Sequence, residues 1–169
     1  MAGSLVQVAT NTVTSAVASV TLTGIDSDDV YMVAFQNFAG ATDTVVRRAR
    51  LTKGGTIQTD ANYDSAFKGL YADTTFGNSA TPNQTDFSFG WSGTGTYEKD
   101  AGLIYLYNFN NASEYSFGTF TTVGRNFSPN TRGEVGGFLH TVASASDGIS
   151  FHLHSGNVAS GTFTLYKVV

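Results

Sequence analysis

The stretch that decides the fold is residues 155–169, SGNVASGTFTLYKVV. Phe163 and Leu165 fall on one side of an extended chain, and Thr164 and Tyr166 on the other. That is the pattern of a strand with one buried face. Gly156 and Gly161 bracket NVAS and supply the backbone freedom for a sharp turn or a bulge. A segment that runs apolar through Val168 and Val169 is tied either into its own sheet or into a neighbouring subunit. Pairing within the chain is the expectation, since strands close in sequence usually share a sheet.

The same period of two runs outward from there. It is seen in TVTSAVASVTLTG (12–24), VYMVAFQNF (30–38), TVVRRARLT (44–52), TDFSFGW (85–91), GLIYLYNF (102–109), SFGTFTTV (116–123), GGFLHTVA (136–143) and GISFHLH (148–154). Gly, Asn, Asp or Pro bounds each run and supplies its turns. Nine or ten short strands at this spacing read as an all-β sandwich. The one helical hint is NYDSAFKGLY (62–71), where Tyr63 and Phe67 stand four apart; one helical turn and a loop are the two readings, with the loop preferred. YADTTFGNSATPNQTD (71–86) is the longest polar stretch and reads as a long loop, either a contact surface or simply solvated. Residues 1–169 form a single domain, with 1–11 as an N-terminal arm.

Composition narrows the function classes. Hydrophobic residues are 41% of the chain, enough for a core. At this length, roughly 70% of the unfolded surface is buried on folding. Charged residues are only 13%, about half the usual ~25%. Thr, Ser, Asn, Gln and nineteen Gly take their place, and such a surface generates weak fields. A net charge of −4 argues against nucleic acid as a partner, which needs an electropositive footprint. No cysteine is present, so disulfides and thiolate chemistry are out. The start, MAGSLVQVATNT, has no basic segment leading an apolar run and does not read as a secretory signal. No apolar stretch reaches the ~20 residues of a membrane helix.

Two motifs carry a family resemblance. DGISFHLHSGNVASGTFTLYKVV resembles the closing motif of a β-sandwich module of tailed-bacteriophage virion proteins, in which the chain typically ends on an sGniasGtfsLYG pattern. DDVYMVAFQNFAGATDTVVRRARLTKGG is similar to that module's earlier signature, Y-x-x-x-F-x-N leading through T-D into a strand and a Gly-Gly turn. The likeness spans roughly residues 28–169 and departs at Lys167, where the usual ending has glycine. It implies a two-sheet antiparallel β-sandwich of jelly-roll (tumour-necrosis-factor-like) type, often trimeric, found in head decoration proteins and in tail or head fibres.

The candidate residues each carry a functional and a plainer reading. In RRARLTK (47–53), Arg48 and Arg50 share one strand face, while Arg47 and Lys53 share the other with Ala49 and Leu51. Arginine forks bind carboxylates in bidentate fashion. Arg47, Arg48 and Arg50, with Leu5 and Val6 of the arm, are therefore expected partner contacts; a solvated or intrachain-paired strand is the alternative. Tyr105 and Tyr107 oppose Ile104 and Leu106 in LIYLYNF. A strand apolar on both faces is usually covered on both, so Tyr105, Tyr107 and Tyr166 are expected at an oligomer interface; solvated tyrosines are the alternative. His152 and His154 share a face and could ligate a metal, but only His140 remains as a third imidazole, so rim histidines are the expectation. Asp26, Asp28 and Asp29 of DSDD read as a turn rather than a calcium loop. GWSGTGT (90–96) matches no phosphate loop or nucleophile elbow and reads as a turn. No acid–nucleophile carboxylate pair is recognisable.

The expected function is a non-enzymatic virion structural protein without a cofactor: a capsid decoration (cement) protein, homotrimeric, bound to the major capsid protein at the particle surface. The alternative is the receptor- or glycan-binding tip of a tail or head fibre, with Trp91 and the Tyr rows stacking on sugars. A polysaccharide hydrolase is the third. The short segment before the first strand favours a standalone subunit over a fibre tip.

Overall fold

The computed structural model describes residues 3–125 and 130–169. Thirteen strands follow one another: β1 (Leu5–Val13), β2 (Ser19–Thr23), β3 (Tyr31–Gly40), β4 (Val45–Lys53), β5 (Thr56–Ile57), β6 (Tyr63–Tyr71), β7 (Phe76–Gln84), β8 (Phe87–Ser92), β9 (Asp100–Tyr107), β10 (Ser116–Arg125), β11 (Thr131–His140), β12 (Gly148–Leu153) and β13 (Val158–Val168). All named pairings are antiparallel. The larger sheet runs β1-β13-β3-β9-β10-β11-β6-β7; the smaller runs β2-β12-β4-β5, with β8 also on β4. Among the described residues there is no helix. The chain is all-β, and its two antiparallel sheets enclose one core in the manner of a β-sandwich.

The closing stretch is tied into its own sheet. β13 lies between β1 and β3, with Phe163 and Leu165 fully buried. Its register slips between Val158 and Thr162, the bulge that Gly156 and Gly161 foreshadow, and both glycines hold positive φ, 75° and 150°. The strand is closed off by reciprocal bonds between Ser4 and Val169, at 2.6 and 2.9 Å. Lys167 sits in regular register opposite Val6 and Tyr31, so the departure from the glycine ending leaves the strand intact.

Three expectations are corrected. Within the segment expected as an arm (1–11), the part from Leu5 onward is strand β1, paired along its length with β13; residues 1 and 2 lie outside the described residues. The 62–71 segment is neither helix nor loop: from Tyr63 it is β6, bonded to β11 and β7. Most of the long polar stretch 71–86 is the edge strand β7, on which Pro82 withholds a donor where no further strand follows.

The core is aromatic. Phe35, Phe38 and Phe163 from the larger sheet meet Phe89 and Phe151 from the smaller, with Phe38 and Phe163 centroids 5.1 Å apart and Phe151 and Phe163 5.3 Å apart. Phe87 stacks flat on Phe138 at 3.6 Å. Each ring contributes roughly 1.5–3 kcal/mol by leaving water, and their interdigitation fixes how the sheets face one another.

Candidate functional site

β4 alternates as its sequence directs, with Arg47, Ala49 and Leu51 turned inward. Arg47, expected at a partner surface, is instead fully buried. Its guanidinium reaches Glu134 Oε2 at 2.7 Å, Asp100 Oδ2 at 3.1 Å and the Thr122 hydroxyl at 3.2 Å. It also lies over the rings of Phe89 and Phe35, 5.4 and 5.8 Å from their centroids. Arg132 completes the cluster through Glu134 Oε1 at 2.9 Å and Asp100 at 3.7 Å. Two cations and two carboxylates are thus enclosed together. Several of the contacts, Arg47 Nη1 to Asp100 and Arg132 Nε to Glu134 among them, are close but off the hydrogen-bond direction, so charge rather than directed bonding holds them. Burial pushes the Asp100 carboxyl up to about 6 against the pull of Arg47 and Arg132. Asp100 and Glu134 are 1% and 2% exposed, closed to any substrate.

Arg48 and Arg50 point outward and pair within the chain. Asp86 accepts from Arg48 at 2.9 Å and from Arg50 at 3.3 Å, and His152 Nε2 stands 3.3 Å away. Burial opposes the charge of Asp86, but His152 and Arg48 outweigh it and hold the carboxyl below its ordinary value. The intrachain alternative therefore describes all three arginines. His154 is exposed beyond this group, and among the described residues no three His, Asp or Glu side chains gather as metal ligands. The DSDD carboxylates are taken up by protein donors. Lys167 Nζ is 2.8 Å from Asp29 and 3.9 Å from Asp26, the Tyr31 hydroxyl donates to Asp26, and Asn111 donates to Asp28.

Over the buried cluster the sandwich opens into a cleft between β6–β7 and β8. Its floor depends on a bulge: Val46 faces Trp91 and Arg48 faces Ser88, so Arg47 alone is spanned by Phe89 and Gly90. Strict alternation from Phe87 and Phe89 would bury Trp91. The bulge inverts the parity, leaving Trp91 38% exposed and Ser92 buried. Gly90 makes this feasible at φ 107°, for a Cβ there would stand 2.4 Å from both Arg47 Nη2 and Glu134 Oε2. Arg132 donates to the Trp91 carbonyl, so the ion cluster anchors the backbone that presents the indole.

Across the cleft, Tyr71 lies over the paired glycines Gly69 and Gly77. A Cβ at either would come within 3.0 or 3.2 Å of its hydroxyl. Trp91 and Tyr71 together border two adjoining hollows, of about 190 and 330 Å3. The smaller is completed by Asp43, Thr44, Glu98, Arg125 and Arg132, the larger by Arg48, Val46 and Phe67 together with small polar side chains such as Asn78, Ser79 and Ser88. Asp43 Oδ1 accepts from the Thr44 amide at 2.9 Å, and Glu98 Oε2 from the Gly95 amide at 2.9 Å. Thr44 holds φ 52°, a left-handed conformation costly for a β-branched residue by about 1–3 kcal/mol and typical of ligand clamps. GWSGTGT is thus a strand end and a loop in the wall of this cleft. Of its residues only Trp91 stands out from sequence; Tyr71, Asp43, Glu98, Arg125 and Arg132 converge from separate elements and share no spacing.

A second surface is the outer face of the larger sheet. Tyr105 and Tyr107 stand outward opposite buried Ile104 and Leu106, as their alternation requires. Tyr105 and Tyr107 rings lie 6.5 Å apart, and Phe117 continues the row 5.7 Å from Tyr107. Leu103, Val123 and Val135 are exposed beside them, and half-buried Tyr166 extends the face toward β1. From β1 through β13, β3, β9 and β10 to β11, no outward position carries a charge except Arg125 at the end of β10; Asp64 and Lys68 appear only on β6. Leu5 and Val6 are half exposed at its edge.

Comparison with protein families, characterised proteins and solved structures finds no match to this chain. The likeness to phage virion modules therefore rests on the two quoted motifs.

Proposed function

We propose that this chain is a non-enzymatic structural protein of a tailed-phage virion, a capsid decoration subunit that works by assembly. The observation that carries the reading is the face spanning six strands of the larger sheet, which bears no charge except Arg125 at its edge. At ~4.8 Å between strands and ~3.3 Å per residue it covers ~850 Å2, close to the ~800 Å2 that each partner of a standard interface contributes. A chain of net charge −4 repels its own copies, so a surface emptied of charge is where copies can meet. Tyr105, Tyr107 and Phe117 supply the aromatic anchors such contacts favour. The jelly-roll (tumour-necrosis-factor-like) assignment, the homotrimer, the major capsid protein as partner and the virion-surface location all follow from the motif resemblance.

Of the expected contacts to other virion proteins, Leu5 and Val6 stay available, Arg48 and Arg50 serve at most as rim, and Arg47 is withdrawn. A decoration subunit bound only to the assembled lattice shifts the equilibrium toward intact shell by mass action. Copies clamped together engage at high effective concentration once one has bound. The test is sedimentation of the intact protein together with reconstruction of the particle that carries it. Oligomers in solution and copies across the head lattice are expected. A monodisperse monomer overturns assembly, and copies confined to the tail move the chain to a fibre.

A further inference from the structure

We propose that the cleft between Trp91 and Tyr71 binds a neutral saccharide of at least two units, one in each hollow. This goes beyond the assembly reading and uses a different surface. The two hollows adjoin and share both aromatic rings. Together they fall within the ~300–1,000 Å3 of small-ligand sites. Rings turned toward a cleft offer apolar platforms to the C–H faces of a pyranose, while the surrounding polar groups meet its hydroxyls.

The polar groups are of the right kind and are held in place. With one oxygen of Asp43 and of Glu98 fixed by backbone amides, each carboxylate is oriented as an acceptor for hydroxyl donors. Arg125, stacked on Tyr97 at 5.7 Å, supplies donors from the other wall. Arg132 is neutralised by Glu134 and Asp100 beneath it, so the two rim carboxylates outweigh Arg125 and an anionic sugar is disfavoured. In the larger hollow Arg48 is paired with Asp86 at 2.9 Å, and hydroxyls and an amide (Ser79, Thr81, Ser88, Asn78) make up the rest of the polar wall.

Three local features shape this arrangement. The bulge at Gly90 brings the indole out where alternation would bury it. The Gly69–Gly77 pair makes a flat bed for Tyr71. Thr44 keeps an unfavourable backbone conformation on the rim.

Trp91 is the sole tryptophan of the chain, so its emission reports the cleft directly. The intact protein is titrated with cello-, malto-, chito- and mannotetraose at up to millimolar concentration, with tetragalacturonate as the acidic control. A saturable emission change with at least one neutral tetramer is expected. Binding to the variants is read by saturation-transfer NMR. Trp91→Ala and Tyr71→Ala are each expected to weaken binding about three- to tenfold, the worth of an aromatic contact. Asp43→Asn tests the rim without altering size and is expected to weaken it too, with Tyr105→Lys on the outer face leaving it unchanged. Thermal melts identify any variant that fails to fold, and the remaining variants then decide. No saturable signal from any neutral tetramer, undiminished binding in the folded cleft variants, or preference for tetragalacturonate overturns the proposal. A monomer that binds sugar would overturn the assembly reading alone.

Discussion

At the scale of single residues, the surprise is where the positive charge goes. Arg47 shares a strand face with Ala49 and Leu51 while Arg48 takes the other; one is sealed in the core and the other is a quarter exposed on its surface, although an arginine is rarely found buried. Removing Arg47 would strand Asp100 and Glu134 without their main partner. Arg47→Met is expected to cost about 3–5 kcal/mol, the penalty of an uncompensated buried charge. Arg48→Met is expected to cost under ~1 kcal/mol; urea unfolding of the two variants measures the contrast. His140, 3% exposed and packed 4.7 Å from the Tyr63 ring, gives a pH signature. Burial pushes its pKa below the ordinary 6.5, against a backbone contact at Val142 and the charge of Asp60. Its contribution is present above about 6.5, where both states are neutral, and is lost as pH falls toward the folded value, because the unfolded chain then binds the extra proton. Asp100, raised to about 6, works the opposite way in the same window because its folded form binds the extra proton. His140→Leu should therefore shift the change in melting temperature between pH 7.5 and 5 upward relative to the parent protein, which paired thermal melts at the two pH values measure.

At the scale of elements, β8 shows how one glycine sets the use of a strand. Gly90→Ala places a Cβ against Arg47 and Glu134 at a φ that suits glycine alone. A loss of about 2–4 kcal/mol is expected from strain and overpacking together. Trp91 emission should shift as the bulge rearranges, which fluorescence and urea melts on one sample would establish. The elements that were legible are those with one face in the core: β10, β12 and β13 alternate because Phe120, Phe151 and Phe163 must all face inward. β6 was not. Tyr63 and Phe67 are four apart, and four is common to the helical period and to twice the strand period. β7 was not either, since an edge strand bonded on one side only needs no apolar alternation.

At the scale of the whole molecule, charge is distributed by surface. The acidic excess lies on the turns and rims, the core holds a neutralised cluster, and six strands of one sheet face outward with Arg125 as their one charge. If that face joins copies, Tyr105→Lys combined with Val123→Lys should convert oligomers to monomers while leaving the melting temperature within a few degrees, because both side chains are already exposed. Light scattering after size exclusion reads the first outcome and circular dichroism the second. The tyrosine row itself was readable, since its orientation follows from strand parity and the burial of Ile104 and Leu106. The cleft was not, because its residues come from β4, β6, β7, β8, β10, β11 and two loops that only tertiary packing brings together.

What the amino-acid order determined alone is the all-β class, the inward face of most strands and the one-sided strand character of the closing segment. Those follow from a period of two and from turn residues, which act over neighbouring positions. Only the tertiary structure decided that Arg47 is a core residue, that residues 5–13 are a strand rather than an arm, and that Trp91 is turned to solvent. Each of those depends on a partner far along the chain: Glu134 for the arginine, β13 for the first strand, and the buried ion cluster pressing on Gly90 for the indole.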